Sequence, residues 1–120
     1  ETSVPEERAL VASVFINRLN RRMRLQTDPT VIYALTEGEF ELKRPLRKSD
    51  LNTDSAFNTY RNYGLPPAPI CNPGVAAMEA AAHPAQTDYL YFVASGNGGH
   101  NFARSLSEHN RNVRKWQRNR

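Results

Sequence analysis

Residues 89–103 read Tyr89-Leu90-Tyr91-Phe92-Val93-Ala94-Ser95-Gly96-Asn97-Gly98-Gly99-His100-Asn101-Phe102-Ala103. The first six are aromatic, aliphatic or β-branched, the composition of a strand. Ser95 to Gly99 is turn chemistry, and His100 to Ala103 returns as the second strand of a hairpin. An isolated hairpin is marginal in water and needs a covering layer. The other apolar segments have helical rather than alternating spacing. The expectation is therefore an α+β fold, with helices packed around a small antiparallel sheet.

Just before the hairpin, Val75 to Ala82 is alanine-rich and helix-favouring. Asn72 is placed to cap that helix, with Pro73 at its first position, and His83-Pro84 ends it. Upstream, Gly64-Leu65-Pro66-Pro67-Ala68-Pro69-Ile70 is stiff and extended, either the wall of a groove or a connector. Residues 36–56 are polar and irregular, with a short helical turn beginning at Ser49-Asp50-Leu51. Val31 to Leu35 is a short apolar run, strand or helical turn. Asp28 capping a segment that starts at Pro29 favours the helix.

At the N-terminal side, Ser3-Val4-Pro5-Glu6 fits a capping box. Leu10, Val11, Val14, Phe15 and Leu19 then form one apolar stripe, which predicts a helix from Val4 to about Met23. Beyond the hairpin, Ser107 is placed to cap a last helix from Glu108 to about Trp116.

The chain has 120 residues, suited to a single domain over 1–120. No apolar run approaches the roughly 20 residues of a membrane helix, and no signal peptide opens it. One cysteine, Cys71, excludes an intrachain disulfide framework, and three histidines offer no metal-ligand spacing. No metal or other cofactor is expected.

The net charge of +4 is uneven. Arg111, Arg114, Lys115, Arg118 and Arg120 lie in the last ten residues; without these five, eleven basic groups face twelve acidic ones. The basic character belongs to the tail, whose ordinary explanation is a solvated helix end. A nucleic-acid-binding module would rest on that tail alone. It is disfavoured, because no basic stripe interleaved with aromatics runs through the rest of the chain.

Residue chemistry alone leaves the site open. The glycines at 96–99 lack the GxGxxG pattern of a phosphate loop. Tyr33, Tyr60, Tyr63, Tyr89 and Tyr91, with Gln26, Asn58 and Asn101, are the residue types of a sugar-binding groove. Ordinary packing accounts for each tyrosine equally well.

One ordered series is more specific. It runs Glu1-Thr2, Glu7-Arg8, Val11 to Leu19 (VASVFINRL), Met23 to Tyr33 (MRLQTDPTVIY) and Asn58-Thr59-Tyr60. It continues with Gly64 to Pro67, Asn72-Pro73-Gly74, Ala80 to Pro84, Tyr89 to Ala94, His100-Asn101-Phe102 and His109-Asn110. From residue 1 to about 113 this resembles the endolytic murein transglycosylases, the MltG or YceG-like family.

The resemblance implies a bacterial envelope enzyme that cuts peptidoglycan glycan strands. It implies a periplasmic domain of an inner-membrane protein, anchored by a helix outside this chain, with a LysM-like subdomain before the catalytic part. It implies peptidoglycan as partner, with cell-wall synthases as further candidates. The catalytic glutamate of the family, in a Glu-Thr pair before the first helix, maps onto Glu1. Glu1 would protonate the bond between N-acetylmuramic acid and N-acetylglucosamine. It would then take the proton of the muramic C6 hydroxyl as that oxygen closes onto C1, leaving a 1,6-anhydro end. No water is activated, so a second carboxylate is not required, unlike in two-carboxylate glycosidases. Such an acid must stay protonated, which a free terminal amino group would oppose, so a preceding segment is expected.

Gln26, Thr27, Asp28, Asn58, Tyr60 and His100 are the candidate substrate contacts on this resemblance, with helix capping the rival role for Asp28. Two positions depart from the family pattern: Ala34 replaces an expected glycine, and Phe57 an expected tyrosine. The alternative function is a peptidoglycan-binding module without catalysis.

Overall fold

The computed structural model describes residues 2–119. Glu1–Arg18 and Pro73–Arg120 cluster as one unit, and Leu19–Asn72 as a second. Helices and a two-stranded antiparallel sheet make the chain α+β, and the sheet belongs to the first unit.

In that unit the hairpin forms as its composition suggests. Strand β1 (Tyr91–Ala94) pairs with β2 (His100–Ala103), with Phe92 opposite Phe102 and Ala94 opposite His100. Gly96 and Gly98 sit at φ 92° and 91°, a left-handed backbone that only glycine adopts without strain. The strand starts two residues later than the aromatic run. Helix α1 (Arg8–Asn20) takes the carbonyls that lead into it. Asn17 Nδ2 donates to Thr87 O at 2.8 Å and Tyr89 O at 2.9 Å, and Arg18 Nε donates to Leu90 O at 2.6 Å.

The expected stripe of α1 is only partly the buried one. Val11 and Val14 are buried, each contributing about 1.5–3 kcal/mol, but Ser13 and Arg18 are buried too. They face the segment before β1: Ser13 Oγ lies 2.8 Å from Thr87 Oγ1. The helix ends at Asn20, short of Met23, and Arg22 turns left-handed at φ 57°. The Ser3–Glu6 capping box does not form. Pro5–Glu7 is a 3-10 turn capped at Val4 without a side-chain bond, and Val4 N–H donates instead to Thr2 Oγ1 at 3.1 Å.

Helix α2 (Asp28–Thr36) belongs to the second unit and is described with it below. Helix α3 (Val75–Ala82) starts after Gly74, two residues beyond the Asn72 expected to cap it. Helix α4 (Leu106–Asn119) is capped by Ser105 rather than Ser107. Ser105 Oγ accepts Glu108 N–H at 3.2 Å, and Glu108 Oε1 accepts Arg104 N–H at 3.2 Å. The tail basic residues Arg111, Arg114, Lys115 and Arg118 are exposed on α4, while His109, Val113 and Trp116 are half-covered. Among the described residues no helix is long and apolar enough to cross a membrane.

Tyr91 is the centre of a cationic stack. The Arg18 guanidinium lies 4.8 Å from its ring centroid, and the His109 ring stacks on it at 5.0 Å. Burial, then the charge of Arg18, pulls the His109 imidazole below its ordinary value of 6.5. A histidine depressed in the fold binds its proton more readily when unfolded. The stability that this group contributes is therefore fully present above pH 6.5 and is lost as pH falls through the folded value. Arg18→Met is expected to strip the Leu90 carbonyl of its donor, costing about 1–3 kcal/mol. It is also expected to move His109 up toward 6.5. Urea unfolding and an NMR titration of His109 check the two effects separately.

The second unit has little regular structure. Helix α2 resolves the Val31–Leu35 ambiguity in favour of a helix. Thr27 holds the cap position without a side-chain bond, so Asp28 is the first helical residue and not the cap. Leu25 and Val31 are its buried apolar residues. The rest is held by polar side chains. Arg44 grips Asp50 with two bonds, Nη1 to Oδ2 at 2.7 Å and Nη2 to Oδ1 at 3.1 Å, and Arg47 N–H adds a third at 2.7 Å. These bonds start the 3-10 turn Lys48–Asn52 and hold the Asp50 carboxyl down at about 2, against an ordinary 3.8. A depressed carboxyl stabilises the fold above its unfolded value, and that contribution disappears as pH falls through the folded one. The protection of the Arg47 and Thr53 amides against exchange, taken relative to their intrinsic rates, is expected to fall between pH 3.8 and about 2, and to lose this step in Asp50→Asn.

Candidate active site

The five candidates of the second unit come from two segments that meet. Gln26 N–H donates to Thr59 O at 3.3 Å and Thr27 N–H to Thr59 Oγ1 at 3.0 Å. Thr30 Oγ1 lies 2.8 Å from Thr59 Oγ1. This buried threonine pair joins the turn before α2 to the Asn58-Thr59-Tyr60 turn. Its result is at the surface, where the Tyr60 hydroxyl donates to Asp28 Oδ1 at 2.6 Å. Gln26, at φ 51°, and Asp28 are exposed, and Thr27 and Tyr60 half-buried. Asp28 is thus held by Tyr60 as an acceptor with oxygen valence to spare.

Asn58 has another position. It is fully buried, with Nδ2 donating to Leu51 O at 3.0 Å and Thr53 O at 2.9 Å, and Oδ1 accepting Tyr60 N–H at 2.9 Å. Its polar atoms are spent inside the loop, so it places Tyr60 rather than presenting a group of its own. The departure Phe57 keeps the packing of a ring: its centroid is 4.8 Å from that of Tyr33. Tyr63 is exposed, with the Arg24 guanidinium 4.2 Å from its centroid.

His100 lies in the first unit. Its Nδ1 is 2.8 Å from Glu7 Oε1, and its backbone N–H donates to Glu7 Oε2 at 2.9 Å. Phe92 sets its edge against the imidazole at 5.3 Å, and Phe15 packs edge-on against Phe92 at 5.8 Å. Glu7 also accepts the Thr2 hydroxyl, at 3.3 Å on Oε1. Burial pushes the Glu7 carboxyl up. The His100 ring, its backbone N–H, its charge and the Thr2 hydroxyl together outweigh that, and hold the carboxyl below its ordinary value. Glu7 is a residue that reading along the chain did not single out for the site. Its partner stands 93 positions away, so no local spacing signals the pair. Glu1, the proposed acid, lies outside the described residues.

Beside α1 an open groove of about 770 Å³ is lined by Asn17, His83, Asp88, Tyr89 and Arg104, among others. The Arg104 guanidinium lies over the Tyr89 ring, 4.9 Å from its centroid, and covers one stacking face.

The chain is 49% identical, over 97% of its length, to the endolytic murein transglycosylase of Bacillus subtilis (strain 168). It is 38% identical, over 94%, to the endolytic murein transglycosylase of Streptococcus pneumoniae R6. It spans 31% and 21% of those two proteins. A crystal structure of a YceG-like protein from Listeria monocytogenes superimposes with a TM-score of 0.79 at 50% identity, covering 92% of this chain and 34% of that one. The sequence profile of the YceG-like family matches residues 1–115, nearly the whole chain, and with these likenesses it establishes that the chain belongs to the YceG-like family.

Proposed function

We propose that this chain is the catalytic part of an endolytic peptidoglycan lytic transglycosylase. The observation that carries the reading is the 49% identity, over 97% of the chain, to a protein named for that activity. Glu1 is the general acid and then the general base. It protonates the glycosidic oxygen as the bond from muramic C1 breaks, and the sugar passes through an oxocarbenium-like state. The resulting carboxylate accepts the proton of the C6 hydroxyl while O6 bonds to C1. Glu1 ends protonated as it began, no water is consumed, and one carboxylate suffices.

Gln26, Thr27, Asp28, Tyr60 and His100 contact the glycan in this reading. Asp28 accepts from sugar hydroxyls or N-acetyl N–H groups, and Asn58 supports Tyr60 from within. The reading places the protein in the bacterial envelope. It includes inner-membrane anchoring outside this chain, a periplasmic catalytic part and docking with cell-wall synthases.

The test is the chemistry of the new chain ends. Purified glycan strands are digested with the intact protein, and the ends are read by mass spectrometry. Anhydro-muramic ends appearing within strands are expected. Reducing ends would replace the lytic mechanism with hydrolysis and require a second carboxylate. Strands that are bound but remain uncut would leave a binding module.

A further inference from the structure

Glu7 and His100 form a built pair rather than a surface contact. Their side chains are only 16% and 14% exposed, and both carboxylate oxygens are engaged by one residue, through ring and backbone. The turn before β2 is shaped to admit the carboxylate. A Cβ on Gly99 would stand 2.9 Å from Glu7 Oε2, closer than real Cβ contacts allow. Glu7 also reaches the N-terminal segment, since the Thr2 hydroxyl that accepts Val4 N–H donates to Oε1. Thr2 is the chain neighbour of Glu1.

We infer that Glu7 is a positioning residue of the site: it holds His100 in the Nδ1–H tautomer, directs Nε2 to the substrate, and ties the Thr2 segment beside Glu1 to the start of β2. This inference rests on the transglycosylase reading for its kinetic half only. An ionised carboxylate can only accept, so the ring nitrogen facing it must carry the hydrogen. A carboxyl held below its ordinary value is ionised at neutral pH, which agrees with that role. Nε2 is then the remaining polar atom of the ring, an acceptor for a sugar hydroxyl or N-acetyl N–H while the ring is neutral.

Glutamine at position 7 cannot reproduce the arrangement. It has one acceptor where His100 presents two donors. Either the backbone N–H loses its partner, or the ring flips to the Nε2–H tautomer to receive the amide. Glu7→Gln is therefore a near-isosteric probe of orientation.

The experiment reads imidazole ¹⁵N shifts of His100 in the intact protein at about pH 8, where an ordinary histidine is neutral. The rate of anhydro-end formation is measured on the same samples. The unaltered protein is expected to show one tautomer, protonated at Nδ1. Glu7→Gln is expected to show a mixture and to lose roughly 10–100-fold in rate at saturating glycan, with a smaller change in KM. Gly99→Ala, which keeps the carboxylate but displaces it, is expected to do the same more weakly. It is the second probe should Glu7→Gln fold poorly. An unaltered protein with His100 protonated at Nε2 overturns the inference without any variant. So does a Glu7→Gln protein whose tautomer or rate is unchanged. A failure of the unaltered protein to make anhydro ends would sink the transglycosylase reading instead, and the tautomer would still decide the Glu7–His100 half.

Discussion

Glu1→Gln is expected to lower the rate of anhydro-end formation by roughly 10²–10⁴-fold, while glycan binding changes by no more than a few-fold. The substitution keeps length and hydrogen-bonding ability but removes the exchangeable proton. In the proposed lytic step one group serves twice, as acid to the leaving oxygen and as base to the C6 hydroxyl. Losing it disables both halves at once, with no second carboxylate to retain part of the chemistry. Glu7 cannot take over. It is near in sequence, but its partnership with His100 holds the carboxyl below its ordinary value, and a group ionised at neutral pH is a poor acid. Initial rates and strand pull-down on the same preparation separate catalysis from binding. A Glu1→Gln protein that still makes anhydro ends at the unaltered rate would move the acid to another residue.

What could be read along the chain follows from how local each cause is. The hairpin was legible because β-branched and aromatic residues, glycines and a returning strand all lie within fifteen positions. Helix α2 was half-legible: a short apolar run is ambiguous in itself, and the helix forms as Asp28-Pro29 suggests, but with both residues inside its first turn and Thr27 at the cap position. Caps are poorly legible where several polar residues compete. Ser105 and Ser107 flank the first residue of α4, and Glu108 N–H donates to Ser105. Ser3 offered the pattern of a capping box, yet Thr2 makes the bond.

The late start of β1 was not legible at all. It depends on Asn17 and Arg18 of α1 claiming carbonyls some 70 positions away, and nothing in Tyr89-Leu90 announces that. Arg18 is one of four arginines, with Arg21, Arg22 and Arg24, that are alike along the chain. Burial against Tyr91 and Leu90 distinguishes it only in three dimensions.

The candidate contacts divide in the same way. Gln26, Thr27 and Asp28 are consecutive, and the structure brings Tyr60 to Asp28 from 32 positions on. The ordered motif series placed both segments among the candidates without showing that they meet. Asn58 drew attention for its amide, the same property that makes it useful inside a loop. Only its zero exposure separates the two uses. Residues carried on irregular backbone need such internal ties, since no sheet or helix fixes them.

Asn58→Ala is accordingly the substitution expected to damage the second unit most, by about 3–5 kcal/mol. Three buried or half-buried partners lose their bonds at once: the carbonyls of Leu51 and Thr53 and the N–H of Tyr60. Each unpaired buried polar group costs about 1–3 kcal/mol, and alanine leaves too small a void to guarantee water to all three. Asn58→Asp tests the direction of the bonds. It keeps the acceptor for Tyr60 N–H but sets a carboxylate against two carbonyl oxygens, so it should be as harmful as alanine near neutral pH. Protonation of the introduced carboxylate would restore one donor, so the deficit of this variant should shrink on acidification, opposite to the acid loss expected at Asp50. Denaturant unfolding of the three proteins at pH 7 and pH 4 measures this. Equal stability of Asn58→Ala and the unaltered protein would mean that the loop from 48 to 60 does not depend on this amide. Tyr60 and Asp28 would then be held by the threonine pair alone.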